Sequence, residues 1–187
     1  MTARIQIVRN QIWVCAALFS LIICCGCGKS NPTAMLETNK GKIVIELYPD
    51  AAPKTVENFA TLIQQGFYDG LTFHRYDPGF VIQGGDPKGD GTGGPPWRIP
   101  GEFQDPQLRA KMPKHERGVI AMARTFDPNS AGSQFYICLN PDSNRYSHLE
   151  GKYTTFGRVI EGLDVVDQIR VGDKINRATL KNYRPEK

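Results

Sequence analysis

From residue 34 onward the chain is cut by glycine, proline, asparagine and aspartate into short apolar runs, and only two stretches carry helical spacing. Such a chain has to build its core from strands. Ile43, Ile45 and Leu47 alternate with Lys42, Val44 and Glu46, so residues 42–48 read as a strand with one mostly apolar face. The turn Asn39-Lys40-Gly41 joins it to residues 35–38 as a hairpin. Two strands are predicted within residues 73–83 about Pro78-Gly79, and others at 118–123, 134–139, 154–160 and 175–181. Val56, Phe59, Ala60 and Ile63 recur at helical spacing behind Pro53, and Gly66 follows, which predicts a helix over 53–63. Residues 163–169 predict a second helix of about two turns. Many short strands with two helices favour a closed β-barrel over a parallel α/β sheet. Residues 86–114, rich in Gly and Pro and without periodicity, read as a long loop that is functional or packed over the surface.

The 187 residues suffice for one domain with a substantial core, and 40% hydrophobic with 22% charged residues is a globular composition. The first 26 residues stand apart. Arg4 and Arg9 precede an almost wholly apolar run over 12–25, the pattern of an export signal and too short for a comfortable membrane span. The run ends in Cys24-Cys25-Gly26-Cys27-Gly28 and resembles a bacterial lipoprotein signal, in which a cysteine after a small residue is lipidated and becomes the new N-terminus. Cys27, behind Gly26, fits that role, although Cys24 stands where leucine is usual. The expected organisation is a lipoprotein-type signal peptide at 1–26, a tether at 27–33 and a domain at 34–187. The expected location is outside the cytoplasm, with a lipid anchor on Cys27 in a membrane facing the periplasm or the cell exterior. Removing Arg4 and Arg9 takes the net charge from +4 to +2, too weak a bias for nucleic acid. Cys138 is then the one cysteine left to the domain, and in an apolar strand it reads as a small buried hydrophobe rather than a nucleophile.

The chemistry concentrates at residues 73–86, Phe-His-Arg-Tyr-Asp-Pro-Gly-Phe-Val-Ile-Gln-Gly-Gly-Asp. One arginine, two phenylalanines and a glutamine fall within eleven residues, with no nucleophile-and-base pair beside them. A site built this way grips and polarises a substrate and is poorly equipped to break a bond. His74, His115 and His148 are scattered without a Cys or carboxylate partner motif, so no metal site is expected, and His74 and His115 read as structural or surface residues. Residues 89–94 satisfy G-x-G-x-x-G, but Pro95-Pro96 follows, so no helix opens there and the dinucleotide reading fails. Phe80 and Gln83 are three apart and would point to opposite faces of a flat strand, unless Gly84 and Gly85 supply a bulge or sharp twist.

The block at 73–86, Met122-Ala123, Ala-Gly-Ser-Gln-Phe-Tyr-Ile at 131–137 and Leu-Glu-Gly-Lys-Tyr-Thr-Thr-Phe-Gly at 149–157 resemble the signature blocks of cyclophilins, in family order over about residues 35–181. The resemblance implies an eight-stranded closed antiparallel barrel capped by two helices. It implies peptidyl-prolyl cis-trans isomerase activity on proline-containing polypeptides, without cofactor or metal, by a monomer. Arg75 matches the catalytic arginine, and Phe80 and Tyr136 match the aromatic walls of a proline pocket. Gln83 and Gln134 match groups that hold the substrate backbone and orient the arginine. Val81, Met122, Ala123 and Leu149 match lining positions, while Phe156 matches either the pocket or the barrel interior.

Four positions depart from the family pattern. Val81 stands where methionine is frequent, and Tyr136 replaces a phenylalanine, which would wet one pocket edge with its hydroxyl. Arg124 replaces an asparagine whose backbone touches substrate, and its charge would favour peptides acidic beside the proline. His148 stands where cyclosporin-sensitive members carry tryptophan, which implies weak drug binding. Three readings follow: an isomerase for exported proteins, a proline-segment binding chaperone or scaffold with little turnover, and an inert barrel. An intact Arg75 beside Phe80 and Gln134 favours the first.

Overall fold

The structure, a computed structural model, describes residues 30–184. Strands β1 (Thr33–Thr38) and β2 (Gly41–Leu47) form the expected hairpin, and Ile43, Ile45 and Leu47 are fully buried on one face, as alternation requires. Helix α1 (Pro53–Gln64) follows, with Pro53 in its first turn and Gly66 in the left-handed region just beyond it. β3 (Phe73–Asp77) and β4 (Val81–Gly84) flank the Pro78-Gly79 turn. β5 (Val119–Met122), β6 (Phe135–Cys138), β7 (Thr155–Glu161) and β8 (Ile175–Lys181) complete one antiparallel sheet in the order β3-β4-β6-β5-β7-β2-β1-β8.

That sheet does not close, which corrects the expectation of a closed barrel. β3 and β8 are its two edges, and no ladder joins them: the chain is linked there by an isolated bridge between Thr72 and Lys174 and by backbone hydrogen bonds of Phe73 with Gly172 and Asp173 (both 2.9 Å). The segment leading into β3 occupies the outer edge of β8 instead. Gly70 N–H donates to the Ile175 carbonyl (2.7 Å), Ile175 N–H donates to the Leu71 carbonyl (2.8 Å), and Asp69 Oδ1 accepts from Ala178 N–H (2.8 Å). With those backbone groups engaged by a loop, no ladder forms across the seam, and the sheet remains a curled, open half-barrel.

Three α-helices, not two, accompany the sheet among the described residues. The additional one, α2 (Pro106–Arg109), lies inside the long loop and is capped by Asp105, whose carboxylate accepts from Gln107 and Leu108 N–H. α3 (Leu163–Val166) is shorter than the two turns expected, because its end tightens into i→i+3 bonds from Gln168 to Val165 and from Ile169 to Val166. The start of α1 has no local cap: Ala52 offers no side-chain acceptor. The Glu102 carboxylate supplies one from the long loop, accepting from Lys54 N–H (2.9 Å), Thr55 N–H (2.9 Å) and Thr55 Oγ–H (2.6 Å).

The concave side of the sheet holds the core. Phe59 of α1 meets Tyr68, Phe135 and Phe156 at centroid distances of 5.1, 5.7 and 5.2 Å, the last two edge-on. Ile82, Ile120, Met122 and Ile137 line the same interior. A second, smaller apolar cluster covers the opposite face of β4, β5 and β6, made of Val81, Ala121, Tyr136, Cys138, Tyr146 and Leu149. This explains why every residue of β5 and β6 is buried.

Candidate active site

Simple alternation would place Phe73 and Arg75 on one face, yet Phe73 is fully buried in the core and Arg75 is exposed. The ladder gives the reason. Phe73 pairs with Gly84 whereas Arg75 pairs with Gln83, so two steps of β3 match one step of β4. This bulge at His74 re-aims Arg75 to the outer face. The device that re-aims Arg75 is thus in β3, whereas the bulge or twist that the sequence allowed at Gly84-Gly85 concerned Phe80 and Gln83. Phe80 needs no re-aiming, because it lies in the turn ahead of β4 and is not bound by strand alternation.

Cross-strand register assembles the rest. Gln83 lies opposite Arg75 on one side and Tyr136 on the other, Val81 lies between Asp77 and Cys138, and Ala121 lies beside Tyr136. Their outer faces border a cleft of about 300 Å³. Arg75, Phe80, Val81 and Gln83 line it from β3, β4 and their turn, and Tyr136 lines it from β6. Ala123 and Arg124 contribute from beyond β5, and His148, Leu149 and Tyr153 from the segment before β7. Met122 and Phe156 do not line it; both point into the concave core, on the other side of the sheet. A separate groove of about 360 Å³ runs between α1 and residues 97–100, lined in part by Lys54, Glu57, Asn58 and Trp97, and contains none of the expected site residues.

A directed hydrogen-bond relay holds Arg75. Its guanidinium can only donate, so the Gln83 oxygen faces it (Nη1 to Oε1, 3.4 Å) and the Gln83 amide nitrogen faces away. That nitrogen donates to Gln134 Oε1 (2.9 Å), and the Gln134 nitrogen donates to the carbonyls of Gly91 (3.0 Å) and Gly93 (2.9 Å). Both amide orientations follow from the arginine's lack of an acceptor. The glycine-rich loop therefore anchors the relay. On its other side Arg75 Nη2 donates to Asp77 Oδ2 at 2.9 Å, in an ion pair with both side chains about half exposed. The loop is itself shaped by Asp86. Burial would raise the pKa of this carboxyl, but backbone N–H groups including those of Lys88, Gly91 and Asp90 hold it below the usual carboxylate range.

The aromatic walls are tied from behind. Phe80 stacks on Tyr146 (5.4 Å) and His148 (5.6 Å), and Tyr146 Oη donates to the Phe80 carbonyl at 2.8 Å. The Tyr136 hydroxyl does not wet the pocket edge, as its sequence position suggested. It is buried and shares a 2.9 Å hydrogen bond with His115 Nε2, and burial raises its pKa well above the usual range. Arg124 lies over the rings of Tyr153 (4.6 Å) and Phe103 (5.3 Å) and donates to the carbonyls of Lys152, Thr125 and Phe126. Cys138 sits beneath the cleft with its thiol pushed up to about 12 by burial, which leaves it a packing residue.

Sequence reasoning missed Tyr153, Asp77 and His115. Tyr153 lies inside the 149–157 block, and Asp77 stands two residues from Arg75 on the same strand face, so both carried a usable signal. His115 carried none, because its contact to Tyr136 spans 21 residues. Among the described residues no group of three or more His, Cys, Asp or Glu side chains is placed to hold a metal ion. No helix among them is long and apolar enough to cross a membrane. Cys27 and the signal-like segment lie outside the described residues.

The profile of the cyclophilin type peptidyl-prolyl cis-trans isomerase/CLD family matches residues 33–186. A peptidyl-prolyl cis-trans isomerase of Synechococcus elongatus is 48% identical over 144 residues, covering 76% of this chain and 91% of the relative. Peptidyl-prolyl cis-trans isomerase B of Bacillus subtilis is 47% identical over 132 residues, covering 71% of this chain and 85% of the relative. Among solved structures, a Cryptosporidium parvum cyclophilin in the presence of the dipeptide Ala-Pro aligns with a TM-score of 0.69 at 28% identity, over 80% of this chain and 98% of that one.

Proposed function

The chain belongs to the cyclophilin-type peptidyl-prolyl cis-trans isomerases, enzymes acting on proline-containing polypeptides, and from that premise we propose that Arg75 is its catalytic group. An X–Pro bond turns slowly because amide resonance opposes rotation, with a barrier of about 18–20 kcal/mol. A guanidinium hydrogen bond to the prolyl nitrogen draws the lone pair away from the carbonyl and favours the twisted state. Arg75 is suited to this because a guanidinium is a permanent cation with a rigid fork of donors, and this one is held by Gln83 and Asp77 at the rim of the cleft. Phe80, Val81, Tyr136 and Leu149 form the cup for the proline ring, with Ala123 beside them. Gln83 and the backbone at Arg124 hold the flanking peptide, and Gln134 keeps Gln83 in place. The Arg124 guanidinium, set over two rings and bonded to carbonyls, favours an acidic residue next to the proline. No step requires proton transfer or a covalent intermediate.

The observation that carries this reading is the bulge that puts Arg75 on the cleft side of β3, in register with Gln83 and Tyr136. The ion pair with Asp77 favours a second reading, a proline-segment binder with little turnover, since it engages part of the guanidinium. Isomerisation of a proline tetrapeptide by the wild type and by R75A separates the two. The proposal expects R75A to lose about 10- to 150-fold in kcat/KM, the worth of one hydrogen bond from a charged donor. Equal rates would overturn it.

The pattern of residues 1–27 supports export and lipidation at Cys27, ahead of a tether at 27–33 and a domain at 34–187. Clients would then be exported proteins. Mass spectrometry of the mature N-terminus should find a diacylglyceryl group on Cys27; an unmodified chain with another N-terminus would refute the assignment.

A further inference from the structure

Behind the cleft, four rings join its two aromatic walls into one stack. Phe80 lies on Tyr146 at 5.4 Å and 22°, Tyr146 faces His115 at 6.3 Å and 29°, and His115 faces Tyr136 at 6.1 Å and 11°. Phe80 comes from the turn ahead of β4 and Tyr136 from β6, and Leu139 N–H, just past β6, donates to the Phe80 carbonyl at 2.8 Å. His115 lies between Tyr146 and Tyr136 in the stack and is almost fully buried, at 1% exposure.

Its polar contacts go to Tyr136, which lines the cleft, and to Glu150. Nε2 shares the 2.9 Å hydrogen bond with Tyr136 Oη, which has no other hydrogen-bond partner among the described residues. Its backbone N–H donates to Glu150 Oε1 at 2.7 Å, and Glu150 directly follows Leu149, a lining residue. Nδ1 lies 3.3 Å from the same oxygen without the alignment of a hydrogen bond. The Tyr146 hydroxyl, on the other side of the imidazole, is fixed by donating to the Phe80 carbonyl and accepting from Asn140 N–H (2.6 Å). Removing the imidazole would leave Tyr136 Oη unpaired in a buried site, and removing either end of the bond frees the side chain to shift. That side chain is a wall of the cleft.

We propose that His115 is a positioning residue for substrate binding, which sets the Tyr136 wall through this hydrogen bond. The inference rests on the reading that Tyr136 walls the proline pocket. His115 touches no substrate and moves no proton. Its effect is on how well the pocket fits proline, so it acts on KM more than on kcat.

A double-mutant cycle tests it, with KM and kcat for a proline tetrapeptide measured well below the melting temperature. H115L and Y136F each delete the same bond and are expected to raise KM about three- to tenfold, with kcat within about twofold, the worth of one buried neutral hydrogen bond. H115Q, which keeps a side-chain group able to hydrogen-bond, is expected to stay within about threefold of wild type. In the Y136F background H115L should change KM by less than about twofold, because the bond is already gone. A merely structural histidine would instead impair both backgrounds equally, and that result would overturn the proposal. If H115L does not fold, Y136F and H115Q still decide: an unchanged KM for Y136F, or a KM for H115Q as high as that of Y136F, overturns it. Y136A reports on the premise alone. An unchanged KM there would remove Tyr136 from the pocket, a failure distinct from equal impairment in the cycle.

Discussion

Glu102 offers a stringent test of how the long loop supports the fold. The residue is 5% exposed, and its carboxylate is the sole side-chain cap at the start of α1 among the described residues, 47 residues away from Thr55 in sequence. E102A removes three accepted hydrogen bonds at once. Thr55 N–H is buried and loses about 1–3 kcal/mol when left without a partner, whereas Lys54 N–H sits nearer water and loses about 0.5–1.5 kcal/mol. The Thr55 hydroxyl can rotate toward another acceptor and adds little. The expected loss is roughly 2–4 kcal/mol, including the favourable placement of a negative charge at a helix N-terminus. For a domain of this size each kcal/mol lowers the melting temperature by about 2–4 °C, so E102A should melt roughly 5–15 °C below wild type. E102Q, which keeps one acceptor oxygen but turns an N–H₂ toward a donor, should lose about half as much. Differential scanning calorimetry reads both. Peptide isomerisation at 10–15 °C, a range of about this level chosen to keep the variants folded, should stay within about twofold, because Glu102 does not line the cleft. A melting shift below about 2 °C for E102A would refute the capping argument.

Other consequences are accessible to standard measurements. Q134L cuts the relay between the glycine loop and Gln83, and should lower kcat/KM about tenfold in the peptide assay with little change in melting; an unchanged rate would show that Arg75 needs no relay. Burial, against the opposing pull of nearby carboxylates, lowers the pKa of both His74 and His115 from the ordinary 6.5. Above that value both states are neutral; below it the unfolded chain takes up protons that the folded one resists, so stability falls as pH drops from about 6.5 toward 5. Thermal melts across that range should show the decline, and H115Q should flatten it. A thiol pushed up to about 12 in a buried strand should resist iodoacetamide at pH 8, and peptide mass mapping should find Cys138 alkylated only after denaturation.

Much of the architecture can be read locally. Ile43, Ile45 and Leu47 alternate because one face of β2 is wet and the other is not, and the structure buries all three. Pro53 and Gly66 mark the ends of α1 because their backbones suit a first turn and a left-handed stop. The site blocks were legible as motifs, and register brought Arg75, Gln83, Val81 and Tyr136 to one cleft. Met122 and Phe156 share those blocks but face the core, since neighbours in a motif alternate between the two sides of a strand.

By itself, then, the sequence determined the number and order of the strands, the first helix and the family blocks that carry Arg75. These depend on contacts within a few residues, where period and turn chemistry are decisive. Tertiary structure alone decided three other matters. The seam stays open because residues 69–72 occupy the β8 edge, a contact about a hundred residues long in sequence. Arg75 reaches the cleft because the β3–β4 ladder slips one step at His74. The Tyr136 hydroxyl finds His115 rather than water because an outer layer of chain covers β6. Each depends on which groups meet across space, where the cost of leaving a buried polar group unpaired selects the partner and local propensity has no vote.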